Sequence, residues 1–297
     1  MIKTEPKNTI SEAIKFGDDL LRKSNNLSSR CEVEILLAFL LNCSRLQLYL
    51  NLNQEISDSI LNKFKIFLKQ RLTGIPLQYI IGQTYFFGLK FQVEAGVFIP
   101  RPETEVLVLR LVSLIRQEFP GKAKILEFCT GSGNISVALT KSLQYCKITS
   151  SDINSKALEL ARKNAQIHGV RDKITFIQGD LFRALSPLNQ TQDKFDLIVA
   201  NPPYLATYDL EKAPVEVCFE PQNALDGGIL GIDFYNRIIS GVKAYLAKRG
   251  FIAFEFGDNQ KEQIEKLIIN SNFFETPEFF ADLNGIFRFV IARRVNG

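Results

Sequence analysis

The chain has 297 residues, 46% of them hydrophobic and 23% charged, which is enough for a substantial core in one large or two modest domains. Its formal net charge of +4 is too small to indicate strong nonspecific binding to nucleic acid. Five cysteines without a C-x-x-C pair and a single histidine, His168, argue against a zinc site and a Cys/His nucleophile pair. The start has no apolar signal-peptide core, and no apolar run approaches the roughly 20 residues that span a bilayer. A cytoplasmic protein without metal or membrane contact is expected.

The first part of the chain, residues 1–75, has apolar residues at helical spacing and almost no Gly or Pro. Thr9 or Ser11 is placed to cap a first helix, and Ser57 to Leu72 sets apolar residues against basic ones as an amphipathic helix does. These features predict a small helical bundle.

The helical pattern of the sequence ends at Gly74-Ile75-Pro76. Residues Thr84 to Val93 are aromatic and β-branched, with Gly88 near a turn, which predicts a β-hairpin. A β-hairpin linker over residues 76–102 is therefore expected.

Residues 103–297 alternate strand and helix patterns. Strands are predicted at Lys124–Phe128, Cys146–Ser151, Ile174–Ile177, Phe195–Ala200 and Gly250–Phe256, and helices at Asn134–Leu143, Ser155–His168 and Phe234–Ala247. Such alternation predicts an α/β fold with a mostly parallel, doubly wound sheet, which binds its ligands at the carboxyl ends of the strands.

The first of these strands runs into a glycine loop, residues 127–134. Gly131 and Gly133 allow a tight turn and close approach of the backbone to a ligand. Asp152 ends the second strand, where an acidic side chain can accept both hydroxyls of a ribose. A dinucleotide fingerprint would have glycine where Ser136 stands, and Glu127 would repel a pyrophosphate. The loop suits a cationic ligand better, and a sulfonium is one.

The third strand ends in Gly179-Asp180-Leu181-Phe182. Asp180 is placed to accept from the exocyclic amine of an adenine, with Leu181 or Phe182 against the ring face. Taken alone, an acid after a strand is more often a helix cap. The candidate cofactor residues are Glu127, Cys129, Thr130, Gly131, Ser132, Gly133, Asp152, Asp180, Leu181 and Asn201.

The fourth strand ends in Asn201-Pro202-Pro203-Tyr204, the candidate catalytic segment. A planar amide or ring-conjugated amine is a poor nucleophile, because its lone pair is delocalised. The Asn201 side-chain oxygen and the Pro202 carbonyl are placed to accept its two N–H protons and stabilise the positive charge that grows during methyl transfer. Pro202 and Pro203 stiffen the segment, and Tyr204 can cover the planar group.

The order of glycine loop, Asp152, Asp180 and Asn-Pro-Pro-Tyr resembles the class I methyltransferases that act on amide and exocyclic nitrogens. Within that group the chain resembles the protein-(glutamine-N5) methyltransferases of peptide chain release factors, the HemK/PrmC family. The resemblance covers essentially the whole chain. The residues that select this family are Arg71-x-x-Gly74-x-Pro76-x-x-Tyr79-Ile80-x-Gly82, the segment Phe98 to Glu105, and Phe219-Glu220-Pro221 with Ala224-Leu225.

The resemblance implies a class I, Rossmann-like methyltransferase domain over residues 103–297 with S-adenosylmethionine as its cofactor. It implies that the acceptor is the N5 amide of the Gly-Gly-Gln glutamine in class I peptide chain release factors. It also implies that the N-terminal domain helps to hold that partner. A monomer with no stable nucleic-acid partner is expected.

Two residues depart from the family pattern, which usually has Gly where Cys129 stands and Asp where Glu127 stands. Cys129 adds a Cβ and a sulfur beside the expected methionine moiety, and is interpreted as a small buried thiol. Two interpretations of Arg101, Glu103 and Glu105 stay open. The segment is either the start of a helix, with its acids near the positive end of the helix dipole, or, as the resemblance implies, a segment beside the active site.

Two alternatives remain. An adenine-N6 or cytosine-N4 nucleic-acid methyltransferase meets the same chemical problem, but it usually carries a basic recognition region, whereas acidic and basic residues alternate through residues 1–75. The second alternative is a silent methyltransferase-like module that binds a partner and has lost catalysis. Binding of S-adenosylmethionine would argue against it, because such a module is expected not to bind the cofactor.

Overall fold

The computed structural model describes residues 9–23, 28–188 and 194–295 of the chain. The chain forms two compact units. The first comprises Met1–Gly82 with Val215–Phe219, and the second comprises Gln83–Pro214 and Glu220–Gly297. The first unit thus includes a short segment from far along the chain.

The first unit is a helical bundle, as predicted. Its helices are α1 (Ile10–Arg22), α2 (Ser29–Leu41), α3 (Arg45–Leu50), α4 (Asp58–Leu72) and α5 (Leu77–Ile81). Thr9 caps α1 by accepting from the Glu12 N–H at 3.3 Å, and Ser57 caps α4. Leu36, Leu37 and Phe64 are fully buried in its core.

Arg71 holds the distant segment within this first unit. Its guanidinium is almost completely buried and pairs with Glu32 of α2, at 2.7 Å, and with Glu216. Gly74 has a φ of 92°, and a Cβ there would lie 2.6 Å from Cγ1 of Val215. Two residues of the family pattern therefore contact the 215–219 segment: Arg71 through an ion pair and Gly74 through close packing.

The second unit begins with an antiparallel hairpin, β1 (Gln83–Phe86) and β2 (Leu89–Gln92), in which Gln83 pairs with Gln92. The hairpin predicted between Thr84 and Val93 is confirmed. It is followed by α6 (Thr104–Glu118), whose apolar face is buried.

A seven-stranded sheet forms the centre of the second unit, in the order β5-β4-β3-β6-β7-β9-β8. Its first five members, β3 (Ala123–Phe128), β4 (Cys146–Asp152), β5 (Ile174–Gln178), β6 (Phe195–Ala200) and β7 (Leu246–Glu255), run parallel. The last two, β8 (Glu278–Ala281) and β9 (Phe287–Arg293), run antiparallel to their neighbours. The helices between and after the strands are α7 (Asn134–Ser142), α8 (Ser155–Ile167), α9 (Thr207–Leu210), α10 (Asp233–Gly241) and α11 (Lys261–Asn270).

Alternate side chains of the central strands point to opposite faces of the sheet. On β6, Leu197 and Val199 belong to one buried cluster, while Ile198 and Ala200 belong to the other. A sheet covered on both faces explains why these strands are nearly continuous apolar runs. The predicted α/β fold with a mostly parallel, doubly wound sheet is confirmed.

Two predicted bounds around residue 246 differ from the structure, and one pair of strands was missed. The helix expected to reach Ala247 ends at Gly241, and β7 begins at Leu246 rather than Gly250, because Leu246 pairs with Phe195 of β6. A Cβ on Gly241 would lie 2.5 Å from the Phe182 ring, so the helix end packs closely there. The antiparallel pair β8–β9 was not predicted. None of the helices in the described part of the chain combines the length and hydropathy that a membrane span requires.

Candidate active site

The candidate site lies where the parallel strands end. Phe128 of β3 pairs with Ala200 of β6, and Ala200 pairs with Phe254 of β7. In-register parallel strands end at the same edge, so Asn201 and Glu255 follow side by side. The register therefore brings the predicted strand-end residues to one edge of the sheet, together with Glu255, which the sequence did not single out.

Glu127 is a fully buried carboxylate at the end of β3. Its Oε2 accepts from Thr130 Oγ1 at 2.8 Å and from Ser150 Oγ at 2.9 Å, whereas its Oε1 is buried without a hydrogen-bond partner. Burial raises the pKa of this carboxyl to about 7. A carboxylate with one oxygen left open is suited to a cationic ligand.

Two hydroxyls near this carboxylate are also unsatisfied. Ser132 Oγ in the glycine loop and Ser151 Oγ on β4 are buried without partners. Unpaired buried polar atoms are uncommon in native structures and need an explanation. A polar, cationic ligand with hydroxyl and amino groups would supply their partners.

Asp152 organises the glycine loop through the backbone. Its Oδ2 accepts from the Gly131 N–H at 2.8 Å and its Oδ1 from the Asn154 N–H at 2.9 Å. Desolvation raises the pKa of Asp152 above its ordinary value. Each carboxylate oxygen has a second lone-pair site, so capacity remains for further donors such as ribose hydroxyls.

Gly133 is required by its surroundings. It has a φ of 80° and precedes α7, and a Cβ there would lie 3.0 Å from the Ala161 Cβ. The loop backbone therefore packs directly against α8. Thr130, by contrast, carries a side chain that is buried and bonded to Glu127.

Cys129 occupies a backbone conformation that favours glycine. Its φ is 55°, in the left-handed region, and its side chain packs against the core on one face of the sheet. Desolvation raises the pKa of its thiol, so the group stays protonated, which agrees with a small apolar role. The departure from Gly thus places a strained residue beside the candidate site.

Replacing Cys129 should separate this strain from the packing of the sulfur. Cys129→Ala removes the sulfur and keeps the Cβ, whereas Cys129→Gly removes both. We expect the Gly variant to be about 1 kcal/mol more stable than the Ala variant, since glycine adopts positive φ without steric conflict. Urea unfolding of the two variants measures the difference, and equal stabilities would contradict the strain.

Asp180 and Leu181 follow β5. The Gly179 N–H donates to the Asp152 carbonyl at 3.0 Å, which ties this strand end to that of β4. Asp180 Oδ2 accepts from Arg237 Nη2 at 2.5 Å, a partner that the sequence did not indicate. Leu181 is buried with a φ of 46°.

The Phe182 ring, considered as an adenine neighbour, has protein contacts of its own. It stacks on Tyr245 at 4.7 Å and meets Phe128 edge-on at 4.8 Å between centroids. These contacts make Phe182 part of the core under the site.

The Asn201–Tyr204 segment is held through its backbone. Pro202 and Pro203 are buried, while Asn201 and Tyr204 are half-buried. Gln260 Nε2 donates to the Tyr204 carbonyl at 2.8 Å. Burial raises the pKa of Tyr204 to about 12, so its phenol is neutral at physiological pH.

The side chain of Asn201 contacts the start of α6. Its Nδ2 donates to Thr104 Oγ1 at 3.4 Å, and Thr104 Oγ1 donates to Glu255 Oε2 at 2.6 Å. Burial raises the pKa of Glu255 to about 7, while the Thr104 hydrogen bond opposes this shift. Glu255 was not predicted as a site residue, because it lies in an apolar strand and its partner Thr104 is 151 residues away in the sequence.

Hydrogen bonds also anchor the segment before α6. Glu220 is buried, accepts from the Ile99 N–H at 3.0 Å and pairs with Arg101. Glu105 Oε1 accepts from the Phe87 N–H at 2.9 Å. Arg101 and Glu105 therefore have structural contacts that fix the chain on both sides of Thr104. Among the described residues, no group of His, Cys, Asp and Glu is arranged to hold a metal ion.

Two family models match parts of the chain. One, described as the PrmC N-terminal domain, matches residues 12–82. The other, described as RNA cap guanine-N2 methyltransferase, matches residues 122–217, which include the glycine loop and the Asn201–Tyr204 segment.

Relatives of the chain match nearly its full length. A release factor glutamine methyltransferase of Bacillus cereus is 34% identical over 285 residues, covering 95% of this chain and 98% of its own. One of Geobacter sulfurreducens is 36% identical over 287 residues, covering 96% of both chains. A crystal structure of a methyltransferase from Pyrococcus furiosus shares the fold, with a TM-score of 0.50 at 18% identity over 70% of this chain and 90% of that one.

Proposed function

The chain belongs to the release factor glutamine methyltransferases, and from that membership we propose that it methylates the Gly-Gly-Gln glutamine of class I peptide chain release factors. The methyl group would pass from S-adenosylmethionine to the N5 side-chain nitrogen, in support of translation termination. The observation that carries the proposal is the identity of 34% to 36% over 95% to 96% of the chain.

Residues at the ends of β3, β4 and β5 fit S-adenosylmethionine. The open Glu127 Oε1 and the unsatisfied Ser132 and Ser151 hydroxyls suit the cationic methionine moiety. Asp152 retains acceptor capacity for the ribose, and Asp180 with Leu181 stands on the adenine side. Gly131 and Gly133 let the backbone approach the cofactor without a Cβ between them.

The mechanism proposed for this chain orients the acceptor nitrogen. S-adenosylmethionine, when bound, supplies an electrophilic methyl group on a sulfonium. The methyl–sulfur bond would break as the methyl–nitrogen bond forms, which leaves a neutral thioether, and the nitrogen would then lose one proton to water. Asn201 Oδ1 and the Pro202 carbonyl accept the two N–H protons of the glutamine amide and direct its lone pair at that methyl. As the nitrogen gains positive charge these two hydrogen bonds strengthen, which stabilises the transition state without prior removal of a proton.

Tyr204 completes the proposed acceptor pocket. Its phenol is neutral, so it covers the planar amide without adding a charge that would compete for the N–H protons. Buried Pro202 and Pro203 keep the Pro202 carbonyl in place before the substrate arrives. Acceptors that are held in place before the substrate arrives support in-line transfer.

The partner and the working state of the enzyme are also proposals. The helical unit would help to hold the release factor, and the enzyme would act as a cytoplasmic monomer. A nucleic-acid acceptor has less support: the chain's full-length relatives carry the release factor name, and its net charge is small.

Methyl transfer to a purified release factor tests the proposed function. Labelled S-adenosylmethionine would be supplied with the wild-type factor, with its Gln→Ala variant at Gly-Gly-Gln, and with DNA and RNA. Label on the wild-type factor alone is expected. Label on nucleic acid would replace the proposed acceptor, and a protein that neither binds S-adenosylmethionine nor labels any acceptor would support a silent module.

Glu127 should make cofactor binding depend on pH. With its pKa raised to about 7, the carboxyl is mostly protonated at low pH, and a cationic ligand competes with that proton. Affinity should therefore rise about tenfold between roughly pH 5.5 and pH 7, because the ionised form becomes available as pH approaches the pKa.

Calorimetric titration with S-adenosylmethionine across this range measures the effect. Glu127→Gln is a matched control, since its side chain stays neutral and its affinity should vary little. An equally steep pH dependence in Glu127→Gln would assign the effect to another group, such as Glu255.

A further inference from the structure

We propose that Thr104 and Glu255 are positioning residues, which determine which end of the Asn201 amide faces the substrate. The juxtaposition that supports this is a chain of hydrogen bonds from β7 through the start of α6 to the end of β6. The inference rests on the proposed function for its kinetic consequence, but the orientation of Asn201 can be measured without any substrate.

The three side chains form a short relay that is buried at Thr104 and Glu255 and half-buried at Asn201. Thr104 and Glu255 are 1% and 2% exposed. Thr104 Oγ1 lies 2.6 Å from Glu255 Oε2 and 3.4 Å from Asn201 Nδ2. Water has little access to Thr104 and Glu255, so the bonding of these two groups is set by their protein neighbours.

The direction of the relay follows from the number of protons. An ionised carboxylate only accepts hydrogen bonds, so Glu255 takes the single hydroxyl proton of Thr104. Thr104 Oγ1 can then offer only lone pairs to Asn201. The NH₂ group of Asn201 must face Thr104, because its carbonyl oxygen would place two acceptors together.

Oδ1 of Asn201 is consequently left pointing away from Thr104. This oxygen is the one proposed to accept a substrate N–H proton. A reversed amide would present NH₂ to the substrate NH₂, placing donor against donor. The relay therefore acts through Asn201 and does not itself contact the reacting atoms.

Burial raises the pKa of Glu255 to about 7, so the ionised carboxylate that the relay requires predominates above about pH 7. The positive charge of Arg288 on β9 favours the ionised carboxylate, and so do the hydrogen bonds from Thr104 and Asn201. Tyr235 donates its hydroxyl to the Glu255 backbone carbonyl at 2.8 Å, which fixes the strand end. Glu103 opposes ionisation through its own negative charge.

The first test is kinetic. Thr104→Val keeps the shape of the side chain and removes the hydroxyl, so kcat at saturating cofactor and release factor should fall about tenfold. The Kd for S-adenosylmethionine should stay within about twofold. Thr104→Ser restores the hydroxyl and should recover most of kcat.

Two comparisons distinguish positioning from general damage. Thr140 is an equally buried threonine whose hydroxyl donates to the Ser136 carbonyl, so Thr140→Val is a matched control expected to retain kcat. Thr104→Val added to Asn201→Ala should cause no further loss, because its effect passes through Asn201. A full additional tenfold loss in that background would overturn the proposal.

The second test needs no substrate. The side-chain amide resonance of Asn201, assigned by its disappearance in Asn201→Asp, should exchange with solvent at least about tenfold faster in Thr104→Val. Unchanged exchange would overturn the proposal. If Thr104→Val fails to fold, Glu255→Gln serves instead: it lets the Thr104 hydroxyl donate or accept, and should also speed exchange.

The two tests separate this inference from the proposed function. Wild-type protein that transfers no methyl to a release factor would refute the acceptor assignment, while the exchange measurement would still decide the orientation of Asn201. Methyl transfer that is unaffected by Thr104→Val would leave the acceptor intact and remove the relay.

Discussion

Asn201→Ala should lower kcat for methyl transfer to a release factor at least about a hundredfold, a loss of roughly 2.7 kcal/mol in transition-state stabilisation. The substitution removes Oδ1, one of two acceptors for the glutamine N–H protons. That acceptor gains strength as the nitrogen becomes positive, so its loss falls on kcat more than on binding. Single-turnover kinetics with saturating cofactor measures the chemical step.

Cofactor binding provides the internal control for this variant. Asn201→Ala should lower the affinity for S-adenosylmethionine far less than it lowers kcat, because Asn201 is only one of the candidate cofactor residues and the others follow β3, β4 and β5. Asn236, an exposed asparagine on α10, offers a matched control in which Asn236→Ala leaves kcat unchanged. Near-normal turnover in Asn201→Ala would rule out the proposed orientation mechanism.

Asp152→Ala should weaken the binding of S-adenosylmethionine by about a hundredfold. The carboxylate is proposed to accept the ribose hydroxyls, and hydrogen bonds to a charged group contribute roughly 1.5–3 kcal/mol each. It also accepts from the Gly131 and Asn154 amides, so its removal loosens the glycine loop before the ligand arrives. Calorimetry gives the Kd directly.

The same variant should retain most of its kcat once the cofactor is saturating, because Asp152 does not contact the acceptor nitrogen in the proposed mechanism. Asp152→Asn keeps one acceptor oxygen and should fall between wild type and Asp152→Ala. An unchanged Kd in Asp152→Ala would remove the ribose assignment.

Local patterns in the sequence predicted most of the parallel sheet. The apolar run at Phe195–Ala200 is a strand with the predicted bounds, and the strand ending at Phe128 begins one residue earlier than predicted. Buried central strands carry this information in consecutive residues. The candidate site residues were predicted in the same way, because they follow the predicted strands and parallel strands end at one edge of the sheet.

Contacts between residues that are distant in the sequence could not be predicted from local patterns. A helix was predicted as far as Ala247, but pairing with Phe195 makes Leu246 the start of a strand. Arg237 as the partner of Asp180 and Glu255 as the partner of Thr104 depend on tertiary packing. The φ of Cys129 likewise became known only from the folded loop.

The segment Val215–Phe219 determines where this protein can be divided. A fragment beginning at Gln83 would still carry that segment, but without Arg71, so Glu216 would lose its buried cation. A fragment ending at Gly82 would leave Arg71 paired with Glu32 but without Glu216. The helical unit is therefore complete only after synthesis has passed the acceptor segment Asn201–Tyr204, although its five helices all precede Gln83.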